Sequence, residues 1–235
     1  MTEESSSRSP SHFLERRFQF LLISLLLLFI VLPFFEASVV TDIVASVILL
    51  VGAYAVNRRR TVFIICVVLA TLALIMTWTA HFVQAPLLLL AGHGLNIAFF
   101  VLVSSVILAH VLSARQVTAE TIAGAICVYL FVGVIWANIF AILETIDPNS
   151  FSVNDLQTAS VEDVISPQTQ SGHFTYYSFV TLTTLGYGEI TPRSRPARSS
   201  AALEAVMGQL YIAVLIARLV GLQIASKESR KGGPS

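Results

Sequence analysis

The sequence predicts an all-α membrane protein of six transmembrane helices. A short re-entrant helix and a polar passage lie between the fifth and sixth. Three observations predict it. Apolar residues make up 55% of the 235 positions and charged residues only 12%, a balance unsuited to an ordinary soluble domain. The apolar residues fall in runs about as long as the ~30 Å of bilayer hydrocarbon requires. A polar, glycine-bearing stretch, 181–189, then separates the last two runs. The formal net charge is zero, which gives no reason to expect a nucleic-acid partner. Cys66 and Cys127 lie inside apolar runs and read as free thiols, and His12, His81, His93, His110 and His173 lack metal spacing.

Residues 1–17 form a serine-rich polar tail. Arg8, Arg16 and Arg17 precede the first run, 18–35. That basic flank also fits a signal peptide, but the run is long for one and Glu36-Ala37-Ser38 is a poor cleavage site. The second run, 38–56, follows a very short turn and ends at Asn57-Arg58-Arg59-Arg60. The positive-inside rule puts this loop and the N-terminus in the cytoplasm, as two intervening spans require. The third span covers 61–80, with Trp78 and His81 at its outer interface, and Gln84-Ala85-Pro86 turns the chain into the fourth, 87–112. No Lys or Arg occurs between Ala85 and Ser113. His93 and Asn96 share a face of that helix and read as interhelical hydrogen-bonding groups, with a proton-sensitive site as the sharper alternative.

The link 113–120 is short, so the four leading helices, 18–112, are expected to pack on the last two spans of their own chain. The fifth span, 121–146, carries Gly124 and Gly133 on roughly opposite faces. The external loop 147–172 holds Asp147, Asp155, Glu162 and Asp163 without a basic residue, and Ser160 is placed to cap a short helix. Its acids either concentrate cations or form a solvated turret. Residues 173–183 read as a helix too short to span. The sixth span, 200–226, leads to a basic cytoplasmic tail, 227–235.

Gly186 and Gly188 permit positive φ at alternate positions. Alternating handedness can turn successive carbonyls to one side. Four such strands about an axis would stack rings of oxygens able to replace the water shell of a dehydrated cation. Thr184 would add hydroxyls at the inner end, and the C-terminal end of the 173–183 helix favours a cation through its partial negative charge.

Thr181-Leu182-Thr183-Thr184-Leu185-Gly186-Tyr187-Gly188-Glu189, behind Tyr176 and Tyr177, resembles the pore signature of the tetrameric potassium channels. The resemblance is specific over 121–226; over 18–112 it rests on helix count, which matches the voltage-gated superfamily. It implies a filter at 184–188, with K+ held by carbonyls of Thr184, Leu185, Gly186 and Tyr187, Gly188 at the mouth, and the Thr184 hydroxyl innermost. Tyr176, Tyr177, Val180, Thr183 and Glu189 are the implied filter supports. Related channels hold valine or glutamate where Val180 stands, so no buried acid is expected behind the filter. Leu185 replaces the more usual Val or Ile, and Glu189 the more usual Asp; Tyr176 either donates to this longer acid or the brace is lost.

Arg193, Arg195 and Arg198 read as headgroup contacts or partners of Glu189 or Glu204. Gly208 stands where related inner helices carry a hinge, with packing against the pore helix as the alternative. Arg218 reads as snorkelling to headgroups, or as a gate-region charge. One filter copy per chain implies a homotetramer. The implied activity is passive K+ conduction across the plasma membrane, with both termini cytoplasmic. No cofactor is expected, nor voltage gating of the usual kind, since that needs several charges in the field. No catalytic dyad or phosphate loop suggests an enzyme. A transporter would need two related halves, which are absent. A non-conducting or modulatory channel-like subunit is the remaining alternative.

Overall fold

The computed structural model describes residues 17–31, 49, 52, 60–83, 85–114, 116–153 and 167–231. The expected second span 38–56, apart from Leu49 and Gly52, lies outside the described residues, as do the Ser160 cap and the acids of 155–163. Six helices are described: α1 Arg17–Val31, α2 Arg60–Phe82, α3 Pro86–Ser113, α4 Ala119–Ile146, α5 Pro167–Leu182 and α6 Arg195–Lys231. Among the described residues three stretches are long and apolar enough to cross a membrane: Pro86–Ser113, Ala119–Ile146 and Arg195–Ile224.

Local chemistry sets the helix starts. Pro86 opens α3, where its missing N–H costs nothing. Thr118 caps α4, its Oγ1 accepting from the Thr121 amide at 3.2 Å, and Glu120 sits in the first turn against the positive helix end. α3 and α4 are the most extensively packed helix pair. Their shared core joins Phe99, Phe100, Val103, Ile107 and Val111 of α3 to Val128 and Phe131 of α4, with Phe18, Leu21 and Leu25 of α1. α1 and α3 thus pack on the α4 of their own chain, and α2 packs on α3. Gly124 faces α3 and α1, whereas Gly133 faces the Phe179 ring of α5.

A second core lies at the other end of α4. Trp136, Ala137, Phe140 and Ala141 meet Phe174 and Tyr177 of α5 and Ala197 and Ala201 of α6. Its rings meet edge to face, Phe140 with Tyr177 at 5.0 Å and Phe151 with Phe174 at 5.0 Å. Phe151 belongs to a two-stranded antiparallel ribbon, β1 Phe151–Val153 and β2 Ile190–Pro192, that the all-α expectation omits.

Two helices begin earlier than the sequence suggested. α5 starts at Pro167, not 173, and proline presets helical φ at a first position. α6 starts at Arg195, not 200, because Ser194 Oγ accepts from the Ala197 amide at 3.3 Å and Pro196 fits the first turn.

Candidate functional site

The most unusual backbone in the chain joins α5 to β2. φ is positive at Thr184 (59°), Gly186 (62°) and Gly188 (82°), so left-handed residues alternate through the segment. Glycine adopts this freely, but threonine does so at a cost of about 1–2 kcal/mol. Hydrogen bonds to the end of α5 hold the strained start. The Thr184 amide donates to Thr181 O at 2.9 Å, and the Leu185 and Gly186 amides both donate to Val180 O, at 2.9 and 3.4 Å. No hydrogen bond within the described residues takes up a carbonyl oxygen of 184–188. Residues 183–189 are all exposed in the single chain.

The inner end of the segment is clamped from two sides. Tyr129 Oη of α4 donates to Leu182 O at 3.4 Å. Gly208 of α6 lies against the same carbonyl, and a Cβ there would stand 2.9 Å from Leu182 Cδ1. Gln209 Nε2 reaches Thr184 Oγ1 at 3.5 Å, and Thr183 Oγ1 turns back to Phe179 O at 2.7 Å.

The outer end is braced differently. Tyr176 Oη donates to Glu189 Oε2 at 2.6 Å. That hydrogen bond, with smaller help from desolvation and the Glu189 charge, pushes the Tyr176 pKa up to about 12. Beyond Glu189 the chain enters β2, whose partner β1 is anchored by the buried Glu144. Its Oε1 accepts from the Asn149 amide at 2.9 Å and its Oε2 from the Phe151 amide at 3.0 Å. Ser150 O accepts from the Arg193 amide at 2.7 Å, tying the strand after the segment to the same anchor. Sequence reading missed this anchor, although an acid in the last turn of α4, against the helix dipole, marks a position that needs a local partner.

Other expected positions fall as follows. Tyr177 and Val180 are buried, and Val180 serves the segment through its carbonyl. The side chain at 180 is apolar, yet an acid does reach α5: Glu204 of α6 is fully buried, with Oε1 2.5 Å from Ser178 Oγ. Of the partners open to Arg193, Arg195 and Arg198, neither Glu189 nor Glu204 pairs with them among the described residues; Arg198 Nε donates to Pro192 O at 3.2 Å. Glu204 precedes Gly208 by four residues, which places both on the face of α6 turned toward α5, and that spacing was readable in advance. His93 Nδ1 meets Asn138 Oδ1 of α4 at 2.8 Å, an interhelical hydrogen bond as expected of it. Arg218 donates to the last carbonyls of α3, to Val111 O and Ala114 O at 3.4 Å each and to Leu112 O, where a cation meets the negative helix end. Among the described residues no three His, Cys, Asp or Glu side chains gather as a metal site.

The chain is therefore a largely helical membrane protein whose exposed, left-handed segment lies between its two most C-terminal apolar helices. Residues 124–222, from α4 through most of α6 and including the whole segment, match the family model described as an ion channel. The match supports an ion-channel reading of that stretch. No curated protein and no solved structure matches the chain.

Proposed function

We propose that this chain is one subunit of a homotetrameric, potassium-selective channel that conducts K+ passively across the plasma membrane. The carrying observation is the backbone of 184–188: alternating positive φ, amides of 184–186 drawn back to α5, and carbonyl oxygens with no hydrogen-bond partner among the described residues. Four such segments around one axis supply rings of oxygens at the ligand density a dehydrated monovalent cation needs. K+ sits at Thr184, Leu185, Gly186 and Tyr187, with Gly188 at the outer mouth and the Thr184 hydroxyl innermost. α5 is the pore helix, and Tyr176, Tyr177, Val180, Thr183 and Glu189 support the filter.

The rest of the surface agrees with this role. Leu203, Met207, Leu210 and Val214 of α6 are exposed in the single chain, as an inner helix awaiting neighbours and lipid requires. α3 carries no Lys or Arg, so steep voltage gating has no charge to act on. Gly208 is the candidate hinge and Arg218 the candidate inner-gate charge. Both termini are cytoplasmic, and conduction needs no cofactor or catalytic group.

Purified protein in liposomes under a K+ gradient tests the reading. K+ flux with little Na+ flux supports it, and replacing Gly186 or Tyr187 should abolish the preference. Stable tetramers without flux would instead identify a modulatory subunit. A preference unchanged in both variants would refute the filter assignment.

A further inference from the structure

Glu204 is fully buried among α4, α5 and α6, and its Oε2 has no hydrogen-bond partner among the described residues. Ser178 Oγ lies 2.5 Å from Glu204 Oε1 and 2.7 Å from Gly133 O of α4. A hydroxyl carries one hydrogen, and a peptide carbonyl can only accept. If Ser178 donates to Gly133, the proton in the contact with Glu204 must come from Glu204. If Ser178 donates to Glu204 instead, two bare oxygens face each other at 2.7 Å. A proton on Glu204 satisfies both contacts at once and leaves Oε2 as the carbonyl oxygen of a neutral acid, far cheaper to bury unpaired than a carboxylate.

The surroundings fit a neutral acid. Among the described residues the ionisable groups in electrostatic reach are Tyr129 on α4 and Tyr177 on α5, and neither is a cation. No basic side chain pairs with Glu204 among the described residues. An unpaired buried charge at this point would be strongly destabilising.

We propose that Glu204 is a positioning residue held as a neutral carboxylic acid, its proton linking α6 through Ser178 to the α4 backbone and so fixing α5 behind the filter. The conduction consequence rests on the filter reading above; the protonation itself does not. The chain of bonds crosses all three helices at the level of Gly133, beside the Phe179 ring that this glycine admits. Removing the proton deprives Ser178 of its donor and places a charge where no counter-charge exists. Ser178 then turns its hydrogen to the carboxylate and gives up the bond that ties α5 to Gly133 O of α4.

Infrared difference spectroscopy of the intact protein in lipid, wild type against Glu204→Gln, reads the proton directly. At neutral pH the wild type shows a protonated-carboxyl carbonyl band that shifts in heavy water and is absent from the variant. Identical spectra overturn the proposal. Flux supplies the second readout. Glu204→Gln keeps an N–H donor for Ser178 and retains the K+ over Na+ preference, whereas Glu204→Ala and Ser178→Ala each lower it roughly tenfold. The double variant is no worse than either single one, because both break the same chain. Wild-type selectivity in both alanine variants overturns the positioning role. A wild type that shows the band but conducts without selectivity leaves the neutral acid standing and sinks the filter reading instead.

Discussion

Replacing Gly208 with alanine sets two effects of opposite sign against each other. Alanine in a helix interior is favoured over glycine by about 1 kcal/mol, so α6 considered alone gains. The added Cβ, however, would lie 2.9 Å from Leu182 Cδ1, 3.2 Å from the Leu182 carbonyl carbon and closer still to its oxygen. Ordinary carbon contacts are ~3.5–4.0 Å, so the end of α5 must retreat by roughly 0.5–1 Å. The obstacle is backbone, fixed by the Tyr129 bond and by the turn into Thr184, and no rotamer change relieves it. Overpacking typically costs about 1–3 kcal/mol, and here the upper end should outweigh the helix gain. Gly133→Ala is the graded comparison: its Cβ would meet the tip of the Phe179 ring at 2.6 Å, a side chain able to tilt. Gly94→Ala is the control, with nothing within 4 Å, and should show the helix gain alone. Thermal unfolding of the detergent-solubilised protein and K+ flux in liposomes read the series. The expected stability order is Gly94→Ala, then Gly133→Ala, then Gly208→Ala, with selectivity lost in the last. A Gly208→Ala protein as stable and selective as wild type would refute the packing argument and leave the hinge as the role of this glycine.

The remaining predictions concern the polar ties. Glu144→Ala strands the buried Phe151 amide, at about 1–3 kcal/mol, and releases the exposed Asn149 amide to water, and should loosen the ribbon; faster exchange of those amides checks it. The raised Tyr176 pKa means its bond to Glu189 is fully present below the ordinary tyrosine value near 10 and lost as pH rises through about 12. Selectivity should therefore hold to about pH 10, and Tyr176→Phe should lower the tyrosinate ultraviolet absorbance that grows near pH 12 by one side chain's share. Arg218→Met uncaps the C-terminal end of α3 and should lower the unfolding free energy by about 0.3–1 kcal/mol, with a shifted open fraction in a planar bilayer. K+ should raise the thermal stability of the tetramer where Na+ does not, by about 2.7 kcal/mol at a hundred times its dissociation constant.

Much of the site was readable because its chemistry demands particular residues. Positive φ at alternate positions calls for glycine, and Gly186 and Gly188 announce it; Thr184 joins the alternation only because three amide bonds hold the turn, which no residue type reveals. The long helices were readable from apolar runs matched to the bilayer. The ribbon was not, since three-residue strands carry too little pattern to stand out in a polar loop. The start of α6 was misjudged because Pro192, Pro196 and three arginines suggested a loop, whereas Ser194 and Pro196 form a helix entry. Glu204 was read by charge, against nearby arginines, when its face on the helix decides its partner. Spacing along a helix is a stronger guide to contact than opposite sign.

These observations bear on why the segment keeps its shape. Thr184 stores about 1–2 kcal/mol in its left-handed backbone. The amide bonds of Thr184, Leu185 and Gly186 to α5 contribute about 0.5–1.5 kcal/mol each, enough to offset that strain within one chain. The carbonyl oxygens stand outside this balance. In water they are satisfied, but drawn together in a narrow passage they face one another and lose that solvation, at a cost of ~2–7 kcal/mol for each left without a partner. Among the described residues no hydrogen bond returns it: Gln209 reaches only the Thr184 hydroxyl, and the amides of Thr184, Leu185 and Gly186 are engaged behind the segment. In the proposed tetramer a cation on the axis would supply what the chain lacks, and four copies would supply the oxygens the cation lacks. Assembly without the ion would then be held back by carbonyl repulsion, and ion binding without assembly by too few ligands, which would couple the two equilibria.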